Sequence, residues 1–268
     1  MAKTTPKQPE KPPVAPNGGK SLAVIEEATE PVALAAPQVP EAAAAFLEGI
    51  KGPRIEPPRV PIINIMHREG QFLLPTGEMV TEVSGYPLYY YQTRRYYKKP
   101  PTPGAKGAPP DCWSADCIKP SEDGVDIQAD SCAACPNSKF GTGRSGSGQA
   151  CSTQTWVFLY HPGSFGRSPI AAVVFPPSSI RALLGTKFEG GYFSAAADRH
   201  YAYEVVWTTI RLEQMGDQVV YSVAKPVMGP AIDNREDAIK LRDFRNQFVA
   251  VMESLRGQTV NVEASPEE

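Results

Sequence analysis

The five cysteines of this 268-residue chain, Cys112, Cys117, Cys132, Cys135 and Cys151, all fall within one window of 40 residues. The segment that carries them is polar, with Ser121-Glu-Asp-Gly124 and Gly141-Thr-Gly-Arg-Ser-Gly-Ser-Gly148 offering almost no hydrophobic side chains. A lobe so poor in apolar surface cannot offset the entropy of ordering its own backbone, so it needs a staple. The start Met-Ala-Lys-Thr-Thr-Pro lacks the apolar stretch of a secretory signal. No segment approaches the ~18 consecutive apolar residues of a membrane span. The expected location is the cytoplasm, where thiols stay reduced and clustered cysteines serve metals more readily than disulfides.

Cys132-Ala-Ala-Cys135 forms the centre of such a site, because two thiolates two residues apart converge on one ion from a tight turn. Cys151 supplies a third ligand, and Cys112 or Cys117 the fourth. Cys112 is preferred, since Asp111-Cys-Trp-Ser-Ala-Asp-Cys117 reads as a turn in which residue 117 would often be glycine. The expectation is one structural zinc ion, with an iron–sulfur cluster or unliganded thiols as the alternatives. Four thiolates leave no open position for water, which disfavours a catalytic metal. His161, ten residues after Cys151, reads as a turn histidine rather than a ligand.

Proline sets the domain boundaries. Twelve of the 28 prolines lie in the first 61 residues, too dense for a helix or a central strand. Residues 1–55 therefore read as a disordered tail, 56–258 as one folded domain with the cysteine lobe at 111–152, and 259–268 as an acidic tail ending in Glu267 and Glu268.

Within the domain, strand-like runs occur at Val60–Met66, Gln71–Leu74, Met79–Val83 and Pro87–Tyr97, with turn signals at Glu69-Gly70, Pro75-Thr-Gly77 and Ser84-Gly85. A Pro/Gly loop runs from Pro100 to Pro110. Strands are expected again at Gln154–Tyr160, Ile170–Phe175, Ala202–Leu212 and Gln218–Val223, the last two joined by a turn at Met215-Gly-Asp217. Ser178 or Ser179 would cap a helix that turns Ile180, Leu183 and Leu184 inward. A final helix has Asp233 and Glu236 as a capping box and Leu241, Phe244, Phe248, Val251 and Leu255 at helical spacing up to Gly257. The fold class is mainly β with α, an antiparallel OB-like barrel with a zinc-ribbon-like insertion and a C-terminal helix.

Net charge is −2, yet residues 51–110 hold nine basic and four acidic side chains, a local +5. The densest stretch, Tyr89-Tyr-Tyr-Gln-Thr-Arg-Arg-Tyr-Tyr-Lys-Lys99, interleaves five tyrosines with four cations. Tyr89, Tyr90, Tyr91, Tyr96 and Tyr97 would stack on bases of any identity, and Arg94, Arg95, Lys98 and Lys99 would neutralise phosphates. The competing reading is a strand whose tyrosines fill the core on one side while its cations are solvated on the other. Trp113 and Phe140 could extend a stacking surface, while Trp156 reads as core.

The chain does not read as an enzyme. Its three histidines, His67, His161 and His200, sit in no nucleophile or metal motif. Gly141, Gly143 and Gly146 match G-x-G-x-x-G, but cysteines replace the strand and helix that a dinucleotide site requires.

Short strands, a lobe ligated by Cys112, Cys132, Cys135 and Cys151, an aromatic-basic strand and an acidic terminus together resemble phage-type single-stranded DNA-binding proteins. The resemblance spans roughly residues 55–268. It implies an OB-fold with a zinc lobe, non-catalytic coating of single strands in replication or recombination, and an acidic tail that recruits partner proteins. It also implies a bacterial host cytoplasm if the chain is phage-encoded. A zinc-ribbon interaction protein serving transcription or replication, and a structural assembly protein, are the other expectations.

Overall fold

The computed structural model describes residues 60–67, 69–99, 109–144, 146, 148–166, 168–186, 189–199, 202–214 and 222–255. The N-terminal tail, the Pro-rich loop up to residue 108, His200, the turn at 215–217 and the acidic tail lie outside them.

The fold is mainly β with a few helices, its sheet curled into a half-barrel. The elements run β1 (Ile62–Met66), β2 (Gln71–Leu73), β3 (Met79–Val80), β4 (Glu82–Tyr96), β5 (Cys112–Ser114), β6 (Cys151–Tyr160), β7 (Ile170–Phe175), α1 (Pro177–Leu184), α2 (Tyr192–Asp198), β8 (Val206–Gln214), β9 (Ser222–Ala231) and α3 (Arg235–Leu255). Strand order is β3-β2-β1-β7-β6-β4-β8-β9, with β5 added to β4. The sheet is not wholly antiparallel: β1 lies parallel to β7, pairing Ile62 with Ala172 and Ile63 with Val173. A parallel pair needs a long crossover, and β4 to β6 provide it.

The Ser84-Gly85 turn expected from sequence does not form. Both residues lie inside the 15-residue β4, whose first part pairs with β8 and whose remainder pairs with β6. Glycine serves close backbone approach here, since a Cβ on Gly85 would come within 2.8 Å of the Tyr160 carbonyl oxygen. Just beyond, the register shifts between Pro87 and Tyr89, a bulge at Leu88. Arg245 Nε on α3 donates to the Leu88 carbonyl at 3.2 Å, so the helix docks on the irregular point of the strand.

Alternation along β6 and β7 splits the interior into two cores. Trp156, Phe158, Tyr160, Ile170 and Ala172 face Leu241, Phe244 and Phe248 of α3, together with Tyr86, Leu88 and Tyr89. Val157, Leu159, Ala171, Val173 and Phe175 face the other way, onto Ile63, Phe72, Val83, Leu183 and Ile210. Strands covered on both faces read as continuous apolar runs, as these do.

The helix starts differ from expectation. Ser179 is not a cap: α1 begins after Pro176, and the fully buried Ser179 Oγ accepts a hydrogen bond from the Ala224 amide at 3.0 Å. In α3 the cap falls one residue later than Asp233, where Asn234 Oδ1 accepts from the Glu236 amide at 2.8 Å. Asn is as good an N-cap as Asp. The short α2, which the sequence pattern did not suggest, buries Tyr192 and Ala196.

Phe248 is fully buried, and its ring lies 5.4 Å from that of Phe158. Phe248→Ala should cost about 3–5 kcal/mol in urea unfolding, because it opens a cavity under the sheet. His161 follows β6, with Nδ1 accepting from the Gly163 amide and its ring against Phe165 and Trp207. Burial holds the imidazole below its ordinary value. The unfolded chain then takes up a proton below about pH 6.5 while the folded chain resists it, so stability falls as pH drops through that range. His161→Gln should remove this part of the acid sensitivity, read as Tm against pH.

Candidate thiol centre and aromatic sheet face

The far end of β4 is paired on both sides. Arg94, Arg95 and Tyr96 lie opposite Ser114, Trp113 and Cys112 of β5, and opposite Thr153, Ser152 and Cys151 of β6. Residues directly opposite one another point to the same side of a sheet. One face of this ribbon therefore carries Cys112, Tyr96 and Cys151 with Arg94, Ser114 and Thr153. The other carries Trp113, Arg95 and Ser152, then Thr93 with Gln154 and Tyr91 with Trp156.

The cysteine lobe covers the first face. Cys112, Cys132, Cys135 and Cys151 are all buried, as is Ser114. Their thiols lie within electrostatic reach: burial raises Cys112, and Cys135 and Cys132 raise it further. Burial, then Cys135, push Cys151 up to about 12, with Cys112 and Cys132 adding to the rise. Among the described residues no three His, Cys, Asp or Glu side chains are drawn close enough to hold an ion. What the four cysteines share is burial rather than a closed coordination sphere.

Cys117 stands apart. It is only partly buried and its φ is 63°, the left-handed backbone that glycine favours. Asp116 builds the turn, its Oδ1 accepting from the Ile118 and Lys119 amides and from Ser114 Oγ. Burial raises the Cys117 thiol, and of the other four cysteines only Cys132 adds to the rise.

The glycine loop spends its amides on itself. Gly141 and Gly143 donate to the Gly148 carbonyl and Gly146 to that of Gly143. Positive φ angles at Gly141, Gly146 and Gly148 close this loop, which is no phosphate cradle. Arg144 reaches back from it and donates to the Lys98 carbonyl at 2.9 Å.

The tyrosine stretch is divided between environments. Tyr89 is buried in the α3 core and its hydroxyl donates to Glu253. Tyr90 points oppositely and stacks on Phe193 with centroids 4.1 Å apart. Tyr91 lies parallel to Trp156 at 6.0 Å. Tyr96 sits between Cys112 and Cys151 in register, and Tyr97 is half-buried beyond the strand end.

The cations are divided as well. Arg94 points into the thiol lobe and donates to the Cys132 carbonyl at 3.1 Å. Arg95 lies on the opposite face, its guanidinium carbon 5.7 Å from the Trp156 ring centroid. Lys98 is exposed and pairs with Asp126 at 3.4 Å; Lys99 is exposed. The sequence pattern missed the register that sets Trp113 beside Arg95, because β5 lies outside every predicted strand.

That second face is covered by α3 at one end only. Near the helix Tyr89, Phe158 and Tyr160 are buried, whereas Tyr91, Thr93, Arg95, Trp113, Ser152 and Gln154 are half-buried. Gln154 Oε1 is buried there without a hydrogen-bond partner. A flat run of indole, guanidinium and phenol with amide and hydroxyl groups between them suits planar, anionic ligands.

Among the described residues, no helix is long and apolar enough to cross a membrane. In comparison with known proteins, no family model, no curated protein and no solved structure matches the chain.

Proposed function

We propose that the chain is a non-catalytic protein that binds single-stranded DNA without sequence preference, acting in replication or recombination as the resemblance to phage-type binding proteins implies. The observation that carries the reading is the half-buried face of the β4–β5–β6 ribbon, where Trp113 lies in register with Arg95 and Arg95 rests on Trp156. In this proposal bases stack on Trp113 and Tyr91, Arg95, Lys98 and Lys99 meet phosphates, and Tyr96 and Tyr97 flank the strand end. Tyr89 and Tyr90 support the face from within the core. Base stacking and phosphate neutralisation are sequence-blind, which fits a binder of any single strand.

The proposal extends to the lobe and the fold. One structural zinc ion would be held by Cys112, Cys132, Cys135 and Cys151, whose shared burial supports the choice of Cys112 over Cys117. A divalent ion turns four thiols that repel as anions into ligands, and it supplies the ordering energy the polar lobe lacks. The OB-like reading rests on the curl of the sheet and on β4, which passes between Gly85 and Tyr86 from one partner strand to another, just before its bulge, as strands do at barrel corners.

A zinc-ribbon interaction protein is the second reading. It is favoured by apolar side chains exposed on the lobe, Ile118 at 64%, Val125 at 82% and Phe140 at 82%. Capture of a polymerase or helicase by a chain with no affinity for oligonucleotides would decide for it.

Fluorescence anisotropy with labelled oligo(dT) should show binding that weakens as salt rises. Trp113→Ala should cost about 1–3 kcal/mol of affinity, and Arg95→Ala should lower the slope of log affinity against log salt by about 0.7. No binding at low salt, or binding insensitive to salt, would sink the reading. Elemental analysis should find about one zinc per chain, retained in Cys117→Ser and lost in Cys132→Ser and Cys112→Ser. A fully folded, metal-free protein would overturn the zinc assignment.

A further inference from the structure

On the half-buried face of the ribbon, Arg95 stands opposite Ser152, Thr93 opposite Gln154 and Tyr91 opposite Trp156, in successive rows. Arg95 begins in the first of these rows, and its guanidinium carbon ends 5.7 Å from the ring centroid of Trp156, which belongs to the last. Its side chain therefore runs along the middle row, where Gln154 stands. Gln154 is half-buried, yet its Oε1 is shut off from solvent and has no hydrogen-bond partner. Thr93, across the row, is already engaged: Trp156 Nε1 donates to Thr93 Oγ1 at 3.3 Å, which fixes the orientation of the indole.

An amide oxygen shut away without a donor is costly to the fold. A guanidinium resting on a ring is a weaker contact than a charge-assisted bond to a phosphate. Movement of Arg95 from the indole to a phosphate would release two things side by side, a flat ring face and an acceptor without a donor. A nucleobase matches both. Its face replaces the planar guanidinium on the indole, and an N–H on its pairing edge reaches Gln154 Oε1. Each of the four bases carries such an N–H, so this acceptor suits a binder that does not select sequence.

We propose that Trp156 and Gln154 form a nucleobase subsite, which Arg95 covers in the free chain and uncovers on moving to a phosphate, with Gln154 Oε1 accepting the base N–H. The proposal rests on the single-strand reading above and adds to it a contact with the base edge, which stacking alone does not supply. Trp156, a core residue by its sequence pattern, thereby takes part in binding.

The test compares two oligomers of one length by fluorescence anisotropy on the full chain. One is oligo(dT); the other is built from N3-methylthymidine, which keeps the ring and the phosphates but has no N–H on its pairing edge. The wild-type chain should bind oligo(dT) about 2–10-fold more tightly, the worth of one hydrogen bond. Gln154→Leu should bind the two oligomers equally while keeping the wild-type dependence on salt. Equal affinity of the wild-type chain for both, or a preference that survives in Gln154→Leu, would overturn the subsite. The cover is tested without DNA: in a Trp113→Phe background, Arg95→Ala should increase quenching of tryptophan emission by acrylamide, and unchanged quenching would overturn the covering role. Failure of both oligomers to bind at low salt would instead overturn the single-strand reading itself.

Discussion

The antiparallel pairing of β4 with β6, from Tyr86 opposite Tyr160 to Tyr96 opposite Cys151, is the constraint on which the other features depend. It joins segments about 60 residues apart and is anchored at one end by the buried Tyr160 and at the other by the cysteine lobe. Once the register is set, strand alternation decides the rest. Trp156 and Phe158 must face α3, Val157 and Leu159 must face the second core, and Cys151 must turn to the same side as Tyr96. A one-residue slip would exchange the two faces and place Arg95 among the thiols.

Coverage of the sheet is diagonal. The helix α3 closes one face near Tyr89 and Phe158, and the cysteine lobe closes the opposite face near Tyr96 and Cys112. Each cover is specific to its chemistry. Leu241, Phe244 and Phe248 bring an apolar stripe to an apolar face, whereas the lobe brings thiols and backbone carbonyls to a face that carries Arg94. The region facing away from the lobe and beyond the helix keeps Trp113, Arg95 and Tyr91 half-buried.

Electrostatics separate residues that composition groups together. Arg94 and Arg95 are neighbours in sequence, yet one donates to a lobe carbonyl and the other rests on an indole. Burial first, and then the neighbouring Cys135, raise the Cys151 thiol to about 12. Arg94, from the strand that the lobe covers, opposes that rise.

Much of the fold was legible in the sequence because apolar periodicity is a local signal. The strands at Ile62–Met66, Gln71–Leu73 and Ile170–Phe175, the Gln154–Tyr160 part of β6 and the face of α3 follow from it. The turn at Cys117 was legible too, since Asp-Cys in a polar loop suits left-handed backbone. Gly85 misled, because a glycine that avoids a clash with the Tyr160 carbonyl looks the same in sequence as one that makes a turn. The tyrosine stretch misled more. Its alternation was readable, but burial of Tyr89 under α3 and stacking of Tyr90 on Phe193 depend on elements more than 100 residues away. The sequence by itself determined a mainly β domain with its cysteines confined to one lobe, since both are properties of composition and spacing. Only the tertiary structure decided that Arg94 turns to the cysteine lobe and Arg95 to the Trp156 ring, since that depends on which cover each side of one strand receives.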